Sequence, residues 1–142
     1  MVAAVVVTID QLTKTWAVHR LSRGPIHVFW KLDLILQYNS GSAFSLAQGH
    51  APVIAAVAVV LVIVLTLAIR RSPTTSTAAA LGMVVGGALG NLADRLFRSH
   101  HGAVVDFIAF HFWPTFNVAD ACIVIGSIAT VLLLWRRPGP TR

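Results

Sequence analysis

The chain contains no glutamate, and its five acidic residues are all aspartates: Asp10, Asp33, Asp94, Asp106 and Asp120. Charged residues of either sign make up only 11% of its 142 residues, against about 25% in a typical soluble domain. That leaves too little charge to cover a water-facing surface, which excludes an ordinary soluble enzyme. Disorder is excluded too, because disordered chains are polar and charged. The single cysteine, Cys122, allows no intrachain disulfide. It lies in an apolar run and reads as a buried structural thiol. Without glutamate there is no HExxH metallopeptidase helix.

What is present is apolar. Hydrophobic residues make up 56% of the chain, and the mean hydropathy is +0.77. A membrane-spanning helix needs about 20 mainly apolar residues. Residues 51–69 meet this without a charge and end at Arg70 and Arg71. Residues 74–94 and 116–135 are two further spans, the last carrying Asp120 near its start. Residues 1–19 form a weaker first span that includes Asp10 and Lys14. It lacks the basic start and cleavage site of a signal peptide. The expectation is an all-α membrane protein of one domain, residues 1–142, with four transmembrane helices. A polar extracytoplasmic segment, residues 20–50, contributes short strands between helices 1 and 2.

The net charge of +6 would suggest nucleic acid in a soluble protein. Here the basic residues flank apolar runs, which points to lipid headgroups and away from nucleic acid. The turn at Arg70 and Arg71 and the tail with Arg136, Arg137 and Arg142 hold five cations. The other face holds six: Lys14, Arg20, Arg23, Lys31, Arg95 and Arg98. Density in the short turn and tail favours a cytoplasmic position for both termini.

Charges at membrane depth are costly, so each calls for a function or a partner. Asp10 and Lys14 are four apart and share a helix face, as a structural ion pair would. Gly82, Gly86 and Gly90 make a smooth stripe for close helix packing. Asn91 and Arg95 lie one turn apart and can present donors to a carbonyl or carboxylate. Asp106 and Asp120 would be about 21 Å apart on a continuous helix. They can meet only if the chain folds back, and Trp113-Pro114-Thr115 offers a break. Two carboxyls brought together in low dielectric share a proton and titrate as a pair. Such a pair can activate water against an amide, the chemistry of aspartic proteases. Ion pairs to Arg95 or Arg98, or helix capping, are the alternatives at this point.

Five blocks, DQLTK at 10–14, NSGSAFS at 39–45, GGALGNLADR at 86–95, VVDF at 104–107 and FNVAD at 116–120, together resemble the lipoprotein signal peptidases, or signal peptidase II. The resemblance implies a four-helix aspartic endopeptidase of the bacterial cytoplasmic (inner) membrane, working near the extracytoplasmic face. Its implied substrates are diacylglyceryl-modified prolipoproteins, cut just before the lipidated cysteine. It makes Asp106 and Asp120 the catalytic dyad. Asn39, Gly87, Asn91, Arg95, Asn117 and Ala119 become substrate-site residues, with Asp10 and Lys14 as polar support. It further implies a small sheet resting on the membrane, a short helix able to cover the site, and sensitivity to globomycin-type inhibitors. Neither a cofactor nor a metal is called for, and nothing demands more than a monomer. For this family nine residues before Asp10 is a short, non-basic start, which reads as truncated or misassigned.

A small four-helix transporter using Asp10 for ion coupling is the rival from another class. It predicts similarity between halves, which the sequence does not show. A serine peptidase using Ser42 or Ser45 lacks a histidine partner in the apolar cores. His100, His101 and His111 read as solvated loop residues.

Overall fold

The computed structural model describes residues 1–40, 51–72 and 74–135. Four helices and four strands follow in the order α1 (Val2–Leu21), β1 (Ile26–Phe29), β2 (Leu32–Asn39), α2 (Ala51–Arg70), α3 (Thr75–Phe97), β3 (Val104–Phe110), β4 (Trp113–Phe116) and α4 (Val118–Trp135). The NSGSAFS segment beyond Ser40, with its expected covering helix, lies outside the described residues. So does the arginine-bearing tail.

α3 is the central helix and packs against each of the others. Thr74 caps its start, accepting from the Thr77 amide at 3.1 Å. α1 turns Val6, Asp10, Lys14, Ala17 and Leu21 inward, a single face by their three- and four-residue spacing. That face meets the glycine stripe of α3. Gly82 lies against Val2, Gly86 against Ala3 and Val6, and Gly90 against Asp10. With no side chain between them the two backbones come close. A β-carbon at position 90 would collide with the Asp10 carboxylate, so the buried acid depends on that glycine.

Outward faces remain apolar. α2 exposes Val57, Val60, Leu61 and Val64, and α4 exposes Val124, Ile125, Ile128 and Val131. Such broad apolar surfaces suit lipid rather than water. Among the described residues, α3 and α4 are the two helices long and apolar enough to cross a membrane.

The sheet corrects the expectation of strands between helices 1 and 2 alone. Its antiparallel order is β1-β2-β3-β4, so the segment between α3 and α4 supplies half of it. The stretch VVDFIAF is a strand, and Asp106 sits on it opposite Gln37. The fold-back is therefore a hairpin rather than a helix broken at proline. Phe107 of β3 packs with Ala17 and Leu21, and its ring meets Trp16 edge-on. This contact seats the sheet on the end of α1.

Candidate active site

Each carboxylate is delivered by a different kind of element. Asp106 is almost wholly buried, at 1% exposure, on the strand that pairs with β2. That pairing puts Asn39 beside it, and Asn39 Nδ2 donates to Asp106 Oδ2 at 2.9 Å. Asp120 stands in the first turn of α4. There it forms a reciprocal cap with Asn117, the residue preceding the helix. The Asp120 amide donates to Asn117 Oδ1 at 2.9 Å, and the Asn117 amide donates to Asp120 Oδ2 at 3.2 Å.

Asn117 joins the two acids. Its Nδ2 donates to Asp106 Oδ1 at 2.7 Å. Asn91 on α3 completes the ring, donating from Nδ2 to Asp120 Oδ1 at 2.8 Å. Capping thus accounts for one oxygen of Asp120 only; the other faces Asn91. Burial pushes the Asp106 carboxyl up to about 6. The Asn39 amide opposes that shift, the Asp120 charge adds to it, and the Asn117 amide opposes it.

Beneath the acids lies a buried ionic cluster. Lys14 Nζ reaches Asp10 Oδ2 at 2.9 Å and Asp94 Oδ2 at 3.0 Å. It also donates to Asn91 Oδ1 at 2.9 Å. An ammonium has three donors, so Lys14 is fully used. Asp10 Oδ1 in turn accepts from the Ala119 amide at 3.0 Å, anchoring the start of α4. Asp94 does not pair with its neighbour Arg95. It takes Arg98 Nε at 2.9 Å, Gln11 Nε2 at 2.9 Å and the Val105 amide at 3.0 Å. The Asp10 and Lys14 pair is thus the core of a larger cluster. Its further members, Gln11, Asp94 and Arg98, had a legible signal in helical spacing: 10, 11 and 14 on α1; 91, 94 and 98 on α3.

Arg95 Nη1 donates to the Asn91 carbonyl at 3.2 Å. Among the described residues, its Nε is the buried side-chain polar atom without a partner. An unsatisfied buried donor is costly and is available to a ligand carbonyl. Gly87 and Ala119 meet each other in the α3–α4 seam, and Ala119 has no exposed surface. Beside Asp120 opens an apolar groove of about 290 Å³, lined by Trp113, Phe116, Asp120, Ala121, Val124 and Ile125. Asp33 lies apart on the sheet, taking His27 Nδ1 at 2.6 Å and His111 Nε2 at 2.9 Å. These contacts hold its carboxyl below the usual range, the His111 bond most, then the His27 bond.

A family described as Signal peptidase (SPase) II matches residues 2–136. The chain belongs to the signal peptidase II family. A lipoprotein signal peptidase of Mycobacterium leprae (strain Br4923) is 43% identical over 141 residues, covering 93% of this chain and 68% of the relative. That of Rhodococcus jostii (strain RHA1) is 43% identical over 138 residues, covering 94% and 70%. A bacterial membrane enzyme solved by the in meso method superposes with a TM-score of 0.86 at 26% identity, covering 96% of this chain and 92% of that one. A second such structure, at 24% identity and a TM-score of 0.82 over 99% and 92%, shares the fold. Membership in signal peptidase II makes this chain a membrane peptidase.

Proposed function

We propose that this chain is an aspartic endopeptidase of the bacterial cytoplasmic membrane. It removes signal peptides from diacylglyceryl-modified prolipoproteins by cutting before the lipidated cysteine. The observation that carries the reading is the Asp106 and Asp120 pair, bridged by Asn117 and open to an apolar groove.

In this mechanism one carboxyl is ionised and the other protonated. The ionised member takes a proton from water as its oxygen bonds to the scissile carbonyl carbon. The protonated member gives its proton to the carbonyl oxygen. Collapse of the tetrahedral intermediate breaks the C–N bond, and the nitrogen leaves with a proton from the pair. The products are a signal peptide ending in a carboxylate and a lipidated cysteine with a free amino group. Asn39, Asn91 and Asn117 hold the carboxyls. Arg95 presents its spare donor to a substrate carbonyl, while Gly87 and Ala119 keep the wall beside the pair narrow. The groove along α4 accepts apolar substrate at membrane depth.

The same reading makes residues 1–142 a single domain with all four helices in the bilayer, both termini cytoplasmic and the pair near the outer face. Globomycin-type inhibitors would compete at this site. The transporter alternative gains no support, because the Asp10 oxygens are committed to Lys14, Gln11 and the Ala119 amide.

The test is a gel-shift cleavage assay on a prolipoprotein with and without prior lipidation. Asp106→Asn and Asp120→Asn should each lower turnover by about a thousandfold or more while the protein remains folded in membranes. Asp33→Asn should cleave normally. Full turnover by either dyad variant, or equal cleavage of unlipidated substrate, would overturn the proposal.

A further inference from the structure

The backbone just before each member of the acid pair is held by another acid. Asp106 follows Val105, whose amide donates to Asp94 Oδ2 at 3.0 Å. Asp120 follows Ala119, whose amide donates to Asp10 Oδ1 at 3.0 Å. Val105 and Ala119 have no exposed surface, so neither amide can turn to water instead.

The two holds are joined to each other. Lys14 Nζ lies between Asp10 Oδ2 at 2.9 Å and Asp94 Oδ2 at 3.0 Å. Gln11 Nε2 makes a second bridge, to Asp10 Oδ2 at 3.2 Å and to Asp94 Oδ1 at 2.9 Å. Asp10, Lys14 and Asp94 are fully buried, and hydrogen bonds between charged groups are the strong ones. A continuous path therefore runs from the Val105 amide through Asp94, Lys14 and Asp10 to the Ala119 amide.

The strand alone fixes Asp106 loosely. The pairing of β2 with β3 shifts register between Leu34 and Gln37, and Gln37 is the partner of Asp106. Such an irregularity bends a strand and breaks its ladder locally. On the other edge of β3, pairing with β4 begins only at Ile108. Asp94 takes the Val105 amide that a neighbouring strand would otherwise receive.

Building on the dyad assigned above, we propose that Asp94 is a positioning residue for the reaction. Coupled to Asp10 through Lys14, it sets the separation of the two acids by fixing the peptide before Asp106 relative to the peptide before Asp120. Asn39, Asn91 and Asn117 orient the carboxyl groups, whereas this path fixes the backbones that carry them. Asp94 acts through Val105 and touches no reacting atom.

The experiment is steady-state cleavage of a lipidated prolipoprotein by the purified full chain in lipid bilayers. Arg98→Gln accompanies each change at Asp94, because Arg98 Nε pairs with that carboxylate at 2.9 Å and one charge of each sign then leaves together. Asp94→Ala/Arg98→Gln removes the acceptor of the Val105 amide. Its kcat should fall by about a hundredfold, as about 1 Å of misplacement can produce, while KM holds. Asp94→Asn/Arg98→Gln keeps an oxygen for that amide and should recover most of the loss. Parent kcat in the alanine variant, with only the melting temperature lowered, would mark a purely structural role and overturn the proposal. Equal losses in the two variants would overturn it as well. A backbone ester at Val105 asks the same question without disturbing the buried charges, since it replaces the N–H by oxygen and leaves every side chain in place. It should lower kcat by about tenfold or more with KM held, and parent turnover by the ester would refute the role of Asp94. Asp106→Asn and Asp120→Asn belong in the same series. Turnover by either would refute the dyad itself, an outcome distinct from failure of the positioning path.

Discussion

A carboxyl buried on a strand and a carboxyl at a helix N-terminus feel opposing forces. Asp106 lies in the first setting, and its folded value is lifted to about 6. An acid whose value rises on folding contributes stability below its unfolded value of 3.8 and loses that contribution as pH rises through the folded one. The parent should therefore melt at progressively lower temperature between about pH 4 and about pH 7. Asp106→Asn keeps a polar side chain and has no such charge to bury. Its melting temperature should exceed the parent's by a few degrees at neutral pH, and the two should converge near about pH 4. Parallel curves across that range would show that burial of this acid carries no linked cost. The acids themselves were legible in the sequence, because five aspartates without glutamate leave few candidates. Why Asn39 belongs with them was not legible from spacing. Its bond to Asp106 spans 67 positions and exists only once β2 pairs with β3.

The elements were legible where their periodicity was distinctive. The three later apolar runs became α2, α3 and α4 with ends displaced by a few residues, as expected of frayed termini. The Gly82, Gly86 and Gly90 stripe proved to be the seat of α1. The hairpin of β3 and β4 was not legible, since a short apolar run such as AVVDFIAF has no period that separates strand from helix. Packing at the stripe yields a graded prediction. A β-carbon at Gly86 would lie 2.7 Å from Val6 Cβ and 2.8 Å from the Ala3 carbonyl oxygen. The backbone of α1 would have to retreat, drawing Asp10 and Lys14 with it. At Gly82 the nearest atom is the Val2 β-carbon at 3.2 Å, close to the start of the helix. Gly86→Ala should thus cost about 1–3 kcal/mol, and Gly82→Ala less, by thermal unfolding in detergent. Equal losses at the two positions would mean that α1 does not rest on α3 through this stripe.

At the scale of the molecule, two connections far apart in sequence become one sheet, and that sheet carries one acid to the helix that carries the other. Its turns meet as well. Trp30, between β1 and β2, packs on Phe112, between β3 and β4, with ring centres 6.3 Å apart. Asp33 ties His27 to His111 across the same strands, a task no sequence pattern announced. The sheet and the turn between α2 and α3 lie at opposite ends of the helices. If the sheet faces outward, as the proposed function requires, Arg70 and Arg71 face the cytoplasm, where short basic turns are retained. The lone cysteine makes this measurable. In a Cys122→Ser background, a single cysteine is introduced at the exposed Lys31 or at the exposed Ser76. A membrane-impermeant maleimide applied to intact cells should label Lys31→Cys, whereas Ser76→Cys should react only after lysis. Labelling of Ser76→Cys alone in intact cells would invert the orientation. The acid pair would then face the cytoplasm, cut off from substrates that emerge on the outer side, and the peptidase reading could not stand in its present form.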